Sequence, residues 1–304
     1  MFFTVCIPTF NRSKTLIRTL ESLRKQTFKD FEILVIDDGS QDDTENVVKN
    51  WSGEQNCQYF YKENGGKHSA INVGLDNAKG TFFLILDSDD WLIDEGLQIL
   101  YRYAKDIVDD NRYCGVLARA FDTNRREMIG DLIPNEYHKM SYIDFHFGIG
   151  RQKSFLDCCE CNKTAILQQY RFPIAENMKF VPEAWLFDQV GLNYSLLCTN
   201  EIVRMTEYLE NGMTADVNFK DKHYLGFLQH YVSRLDIIIP EAKLSFPLQI
   251  VAWWRYWDCV RKDSAKNGVR VKKVTLLGRI VYLLNPVIDI TYKIMYRKLA
   301  KRGR

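Results

Sequence analysis

Residues 82–91 read FFLILDSDDW, an apolar run that stops at three acids, Asp87, Asp89 and Asp90, within four positions. Carboxylates held a few ångströms apart in a partly dry site repel and push up one another's pKa. That cost implies a positive charge still to come. A hard divalent cation fits best, because Mg²⁺ and Mn²⁺ favour carboxylate oxygens and keep positions open for water or phosphate. The competing reading is a helix start, since an aspartate before Trp91-Leu92-Ile93 can cap a helix. A second acidic stretch, KFVPEAWLFDQ, offers Glu183 and Asp188 for proton transfer. The two stand five residues apart and do not share a helix face. Glu183, after Pro182 at a loop-to-helix junction, is the favoured base; Asp188, amid Phe187 and Val190, is its competitor, and Glu176 is a distant third.

The elements that must position these acids alternate. Phe3–Ile7 reads as a strand closed by Pro8, which cannot donate to a ladder. A helix follows, with Ser13 as cap and Leu16, Ile17, Leu20 and Leu23 at helical spacing. Phe31–Ile36 is a second strand ending in Asp37-Asp38-Gly39-Ser40. Asp43-Thr44 open a helix, Tyr59–Tyr61 is a third strand, Asn64-Gly65-Gly66-Lys67 a glycine turn, Ser69–Asn77 a helix and Thr81–Leu86 a fourth strand. Four alternations in under 90 residues predict an α/β fold, a mostly parallel sheet flanked by helices. Ligands in such sheets bind beyond the carboxyl ends of the strands. Thr9, Asp38, the Gly65-Gly66 turn and Asp87-Ser88-Asp89 all fall on that rim. Residues 112–120 offer another strand, and beyond about residue 220 the spacing becomes helical, so the expected division is 1–215 and 216–304.

Neither G-x-x-x-x-G-K-[ST] nor G-x-G-x-x-G is present, which excludes the two commonest phosphate-cradling loops. What remains is a nucleotide site made of single acids: Asp38 accepting from a base N–H, Asp87 near a ribose, and Asp89 on a metal bridging a diphosphate. Such a metal helps a nucleotide leave, as sugar transfer requires.

The runs CIPTFNR, IDDGS, NGGKHSAINVG and LDSDD together resemble the family 2 glycosyltransferases of the GT-A fold, over roughly residues 3 to 95 and more loosely over 150 to 210. The resemblance implies inverting transfer from a nucleotide sugar with Mn²⁺ or Mg²⁺. On these positions it implies that Pro8, Thr9, Asn11 and Arg12 hold the nucleotide and that Asp38 reads a uracil-type base. Gly66, Lys67 and Asn72 would line the ribose and diphosphate. Asp87, Ser88 and Asp89 match the D-x-D stretch, with Asp89 the metal ligand and Asp90 its support. The family's base usually sits in an E-D pair, and here Ala184 follows Glu183, a departure that leaves a noncatalytic nucleotide-sugar-binding protein as one alternative. A nucleotidyltransferase is the other, although PTFNR is not its glycine- and arginine-rich loop.

Composition fits a globular chain of 304 residues, 46% hydrophobic and 26% charged. The eight cysteines read as reduced thiols, and Cys158-Cys159-Glu160-Cys161 lacks a second ligand pair for zinc. His68 and His223 read as surface or supporting residues, with His68 within reach of the diphosphate. The N-terminus has no signal-peptide pattern, so a cytoplasmic location is expected. The net charge of +2 conceals fourteen Lys/Arg against three Asp from 255 to 304, a balance of +11 that leaves −9 for the rest. Residues 272–304 are amphipathic rather than membrane-spanning, with Ile288, Tyr292, Met295 and Leu299 on one stripe and Lys293, Arg297, Lys298 and Arg302 elsewhere. Trp253, Trp254, Tyr256 and Trp257 suggest an interfacial aromatic belt. The expected partners are a nucleotide-sugar donor, a glycan or lipid-linked glycan acceptor and, peripherally, the inner face of the cell membrane; no nucleic-acid-binding signature is visible.

Overall fold

The computed structural model describes residues 1–53, 56–148, 157–207, 216, 218–263 and 268–288. The chain forms two compact units, Met1–Phe219 and Lys220–Arg304.

The first unit is a sheet flanked by helices. Its opening strands are β1 (Phe3–Thr9), β2 (Phe31–Asp37), β3 (Cys57–Tyr61) and β4 (Phe82–Ile85), separated by α1 (Ser13–Arg24), α2 (Thr44–Trp51) and α3 (Lys67–Asn77). They lie parallel in the order β3-β2-β1-β4, so all four carboxyl ends face one rim. After β5 (Trp91–Leu92) and α4 (Gly96–Ala104), the sheet is extended by β6 (Tyr113–Asp122). The minor strands β7 (Glu127–Met128) and β8 (Lys139–Ser141) follow, then α5 (Tyr142–Phe147), β9 (Cys158–Lys163) and β10 (Ser195–Thr206). β9 runs antiparallel between β4 and β6, and β10 lies parallel to β6. The expected mostly parallel α/β sheet is therefore present, with its second half mixed.

Several local expectations are corrected. β1 does not end at Pro8 but continues to Thr9. Leu86 N donates to Cys6 O, the last rung toward β4, so the missing N–H of Pro8 points where β4 has already left. Ser13 does not cap α1; the cap position is Arg12, and Ser13 N donates to Asp42 Oδ2 at 3.0 Å. Leu16, Leu20 and Leu23 are buried, whereas Ile17 is 42% exposed and off the stripe. Burial of each such leucine contributes roughly 1.5–3 kcal/mol. Residues 91–92 form a strand, so Asp90 caps no helix.

In the second unit, helix Tyr224–Ser233 runs into a π-helical segment, Arg234–Ile238, then into Ile239–Ala242; Phe246–Lys262 is the longest helix, and residues 276–288 are helical. The aromatic belt is corrected: Trp253, Trp254 and Tyr256 are buried, and Trp257 Nε1 donates to Gly278 O at 2.8 Å. Trp253 stands where a Cβ on Gly278 would fall, 2.9 Å from the ring, so the helix over 276–288 packs against Phe246–Lys262. Among the described residues no helix is long and apolar enough to cross a membrane. Tyr292, Lys293, Met295, Arg297, Lys298, Leu299 and Arg302 lie outside the described residues.

Gly115, on β6 opposite Asn162 of β9, has no room for a side chain: a Cβ would stand 2.2 Å from Cys161 O. Gly115→Ala is expected to destabilise the first unit by roughly 2–3 kcal/mol, read as a lower urea midpoint at unchanged m.

Candidate active site

The rim brings four loops together. At the end of β1, Thr9 is buried and its Oγ1 has no hydrogen-bond partner among the described residues. Asn11 adopts a left-handed φ of +52°, with its N–H bonded to Ser40 Oγ and its Oδ1 accepting from Gln41 N. At the end of β2, Asp37 shapes the turn, accepting from Ser40 N and Tyr59 Oη. Asp38 is not the open acceptor that base reading requires. It is 3% exposed, and its carboxylate takes Gly65 N at 2.8 Å, Gly66 N at 2.7 Å and Lys62 Nζ at 2.6 Å. Its visible role is to fold the glycine turn. Gly66 is required there, with φ +92° and Lys179 O 2.0 Å from the position of a Cβ.

The acidic stretch after β4 is less short of positive charge than its sequence implies. Lys67 Nζ lies 2.5 Å from Asp87 Oδ1, Arg12 Nε 3.8 Å from Asp89 Oδ2, and Arg204 Nε 3.4 Å from Asp90 Oδ2. The three pairs differ in strength. Burial raises the Asp87 carboxyl, but Lys67 outweighs it and holds the group below the usual carboxylate range. Asp89 is raised by burial and by Asp87, which outweigh the distant Arg12, a backbone N–H and Lys67. Burial pushes Asp90 up to about 7, with Arg204 opposing and Asp87 adding. The loop backbone is held from α1: Arg18 donates to Asp89 O, Thr19 Oγ1 to Asp90 O, and the Arg18 guanidinium stacks 3.8 Å over Trp91. Ser88, between the acids, is buried.

Glu183 arrives on a segment pinned across the glycine turn. Asn72 Nδ2 donates to Phe172 O and Asn72 Oδ1 accepts from Phe172 N, while Lys179 Nζ donates to Asn64 O. Asn72, expected along the ribose and diphosphate, thus uses its amide to anchor this segment instead. The segment delivers Glu183 to the start of helix Ala184–Val190, with Glu183 Oε1 2.8 Å from Lys67 Nζ. One ammonium therefore joins Asp87 to Glu183. Burial pulls the Lys67 pKa down, but the two carboxylates outweigh it and hold it above lysine's ordinary value.

Asp188 is separate from this cluster: it is 1% exposed, with Oδ1 2.6 Å from His146 Nδ1. The surface reading of His68 is also corrected. It is 1% exposed, against Phe172, and burial lowers its pKa to about 4, so the ring is neutral at physiological pH. Cys158, Cys159 and Cys161 are buried free thiols on β9. Among the described residues no three His, Cys, Asp or Glu side chains are arranged to hold a metal. Two carboxylates suffice for a cation that shares its shell with a diphosphate. Asp89 has only a loose 3.8 Å contact to Arg12 and stands two residues from Asp87, so Asp87 and Asp89 fit a hard divalent ion.

Sequence reading missed Arg204, which is 7% exposed on β10 and pairs with both Asp90 and Asp157, and Glu160 on β9. Burial, Asp157 and Glu183 push Glu160 up to about 8, with Arg204 opposing. Between about pH 4.5 and 8 the folded chain holds a proton that the unfolded chain has released, so stability falls as pH rises through this window. Glu160→Gln is expected to remove on the order of 1–3 kcal/mol of that fall, measured by urea denaturation at pH 5 and pH 8.

A family model described as glycosyl transferase family 2 matches residues 4–169. GalNAc(5)-diNAcBac-PP-undecaprenol beta-1,3-glucosyltransferase of Campylobacter jejuni is 41% identical over 106 residues, 34% of this chain and 34% of its own. Poly(ribitol-phosphate) beta-N-acetylglucosaminyltransferase TarP of Staphylococcus aureus is 38% identical over 107 residues, 34% of this chain and 33% of its own. The matches to the first curated relatives span only 15–35% of those proteins' lengths. The fold is shared with S. aureus TarS 1-349 in complex with UDP-GlcNAc, at TM-score 0.58 and 21% identity, covering 94% of this chain and 79% of that one. It is shared too with the mannosyltransferase PcManGT of Pyrobaculum calidifontis in complex with GDP-Man and Mn²⁺, at TM-score 0.57 and 16% identity, covering 98% and 83%. Sheet order, the acidic stretch after β4 and the family match agree: the chain belongs to glycosyl transferase family 2.

Proposed function

We propose that this chain is an inverting, metal-dependent glycosyltransferase that moves a hexosyl or N-acetylhexosaminyl group from a nucleoside diphosphate sugar to a hydroxyl of a glycan or lipid-linked glycan. The observation that carries the reading is the junction of Asp87, Lys67 and Glu183, which come from three separate segments. It couples the acids suited to the donor with the acid suited to the acceptor. Membership of the family supports the reaction class, and the neighbour in complex with UDP-GlcNAc supports a uridine diphosphate donor. The relative named for an undecaprenol-linked acceptor supports a lipid-borne glycan and a role in bacterial surface polysaccharide assembly.

In this mechanism Glu183 accepts the acceptor's hydroxyl proton as that oxygen forms its bond to the anomeric carbon. The bond from that carbon to the diphosphate breaks on the opposite face, and its electron pair leaves with the diphosphate. Lys67 positions Glu183 through their 2.8 Å contact and presents positive charge beside Asp87. Arg12 stands ready to exchange its loose contact with Asp89 for a phosphate oxygen. Thr9 offers a free hydroxyl, and Arg18, Thr19 and Arg204 hold the acidic loop in place. A divalent cation at Asp87 and Asp89, when bound, supplies charge that stabilises the leaving diphosphate. The first unit carries this chemistry in our reading. The second, basic unit gives a peripheral position on the inner face of the cell membrane, supported by the charge balance of residues 255–304.

Release of nucleoside diphosphate from a panel of donor sugars with Mn²⁺ tests the assignment. Glu183→Gln is expected to lower kcat by about 10²–10⁴-fold with donor binding retained. Asp89→Asn should abolish the Mn²⁺ dependence and weaken donor binding; turnover surviving both substitutions would exclude the reading. Lys67→Met should lower donor affinity and kcat together, the latter by roughly 10²-fold, measured by calorimetry and steady-state turnover.

A further inference from the structure

The second unit holds a cavity of about 410 Å³ whose walls are part apolar and part polar and whose free charges are positive. Leu235, Ile239, Pro240 and Trp253 form the apolar part, and Lys243 and Lys273 supply two ammonium groups. Neither lysine makes an ion pair among the described residues, and both are exposed. One wall comes from the π-helical segment Arg234–Ile238, a departure from regular helix that recurs at functional sites. Lys243 closes the helix Ile239–Ala242 in the left-handed region, with φ +49° and ψ +46°, where glycine or asparagine would cost less. Lys272 N is bonded to both oxygens of Asp236, which ties the strand of chain bearing Lys273 to the same segment.

The rim of this cavity continues into the helix over 276–288 through Thr275. That helix turns Gly278, Val281 and Asn285 inward and leaves Leu276, Ile280, Leu283 and Val287 exposed, the first and third by about three quarters. Their spacing of i, i+4, i+7 and i+11 makes one stripe, larger than isolated surface apolar residues would explain. An apolar stripe leading to a mixed cavity with two unpaired cations is complementary to a ligand that is greasy along its length and anionic at its head.

We propose that this cavity takes the phosphate head of a membrane lipid, with Lys243 and Lys273 meeting the phosphate oxygens, the cavity walls meeting the first carbons of the chain, and the 276–288 stripe lying among the acyl chains. The inference rests on the reading that the second unit meets lipid and adds a defined site to it. The site would favour a lipid with an exposed phosphate monoester over an equally charged surface without one.

Full-length protein is sedimented with vesicles of phosphatidylcholine alone, or with equal charge added as phosphatidic acid or as phosphatidylglycerol. The expected result is tighter binding to phosphatidic acid, lost by at least about tenfold in the exposed double variant Lys243→Glu, Lys273→Glu, while phosphatidylglycerol binding falls less than about threefold. Leu276→Ser with Leu283→Ser should weaken binding to both anionic vesicles. Circular dichroism checks that each variant folds. Equal losses on both anionic lipids in the lysine variant would overturn the site and leave peripheral membrane contact standing. No binding to any vesicle would overturn the membrane reading itself. Release by millimolar inorganic phosphate, with no preference for the lipid-borne group, would show an ion site and sink the lipid assignment.

Discussion

One partly buried ammonium between two carboxylates organises the first unit. Lys67 opens α3, Asp87 follows β4, and Glu183 comes from a loop almost a hundred residues later, yet all three meet within 3 Å of one nitrogen. A lone charge in that environment would be strongly disfavoured, and removing one partner of such a set costs more than the set itself contributes. Every element that reaches the junction must therefore arrive in register. Gly66 permits the close approach of Lys179 O, Asp38 folds the glycine turn, and Asn72 holds Phe172. These residues touch no reacting atom in our reading, and each removes a way for the junction to come apart.

The same economy of charge explains the acidic knot. Its three aspartates are not equivalent, because each faces a different cation at a different distance. Asp87 is closely paired, Asp90 is buried beside Arg204, and Asp89 has only the long contact to Arg12. The most loosely paired carboxylate is the one whose oxygens are freest to take a divalent ion. The protein's own cations neutralise the others and keep the loop folded in the ligand's absence.

The second unit has a different physical character. Trp253, Trp254 and Tyr256 are interior, where helix 246–262 meets helix 276–288, so the apolar stripe of Leu276, Ile280, Leu283 and Val287 is aliphatic, with Phe246 and Tyr282 the exposed aromatics among this unit's described residues. A sequence profile of tryptophans near a basic tail suggested an interfacial belt. Burial of Trp253, Trp254 and Tyr256 and exposure of Leu276, Ile280, Leu283 and Val287 reverse the roles of the two sets.

Much of this was legible in the chain alone. Alternating apolar runs and helical spacing determined four strands and three helices in order, because periodicity of two or 3.6 is a local consequence of backbone geometry. Turn residues and the abrupt end of FFLIL at Asp87 determined which acids reach the rim. Tertiary structure alone decided their partners. Arg204 enters from β10, more than a hundred residues beyond the aspartate it faces, and Lys67 bridges two acids that no spacing rule connects. It also decided that Asp38 and Asn72 serve the backbone and that Glu183 and Asp188 part company. Local sequence sets the direction in which a side chain leaves its strand or helix, whereas its pKa and its partner depend on burial and on charges brought close only when distant segments pack.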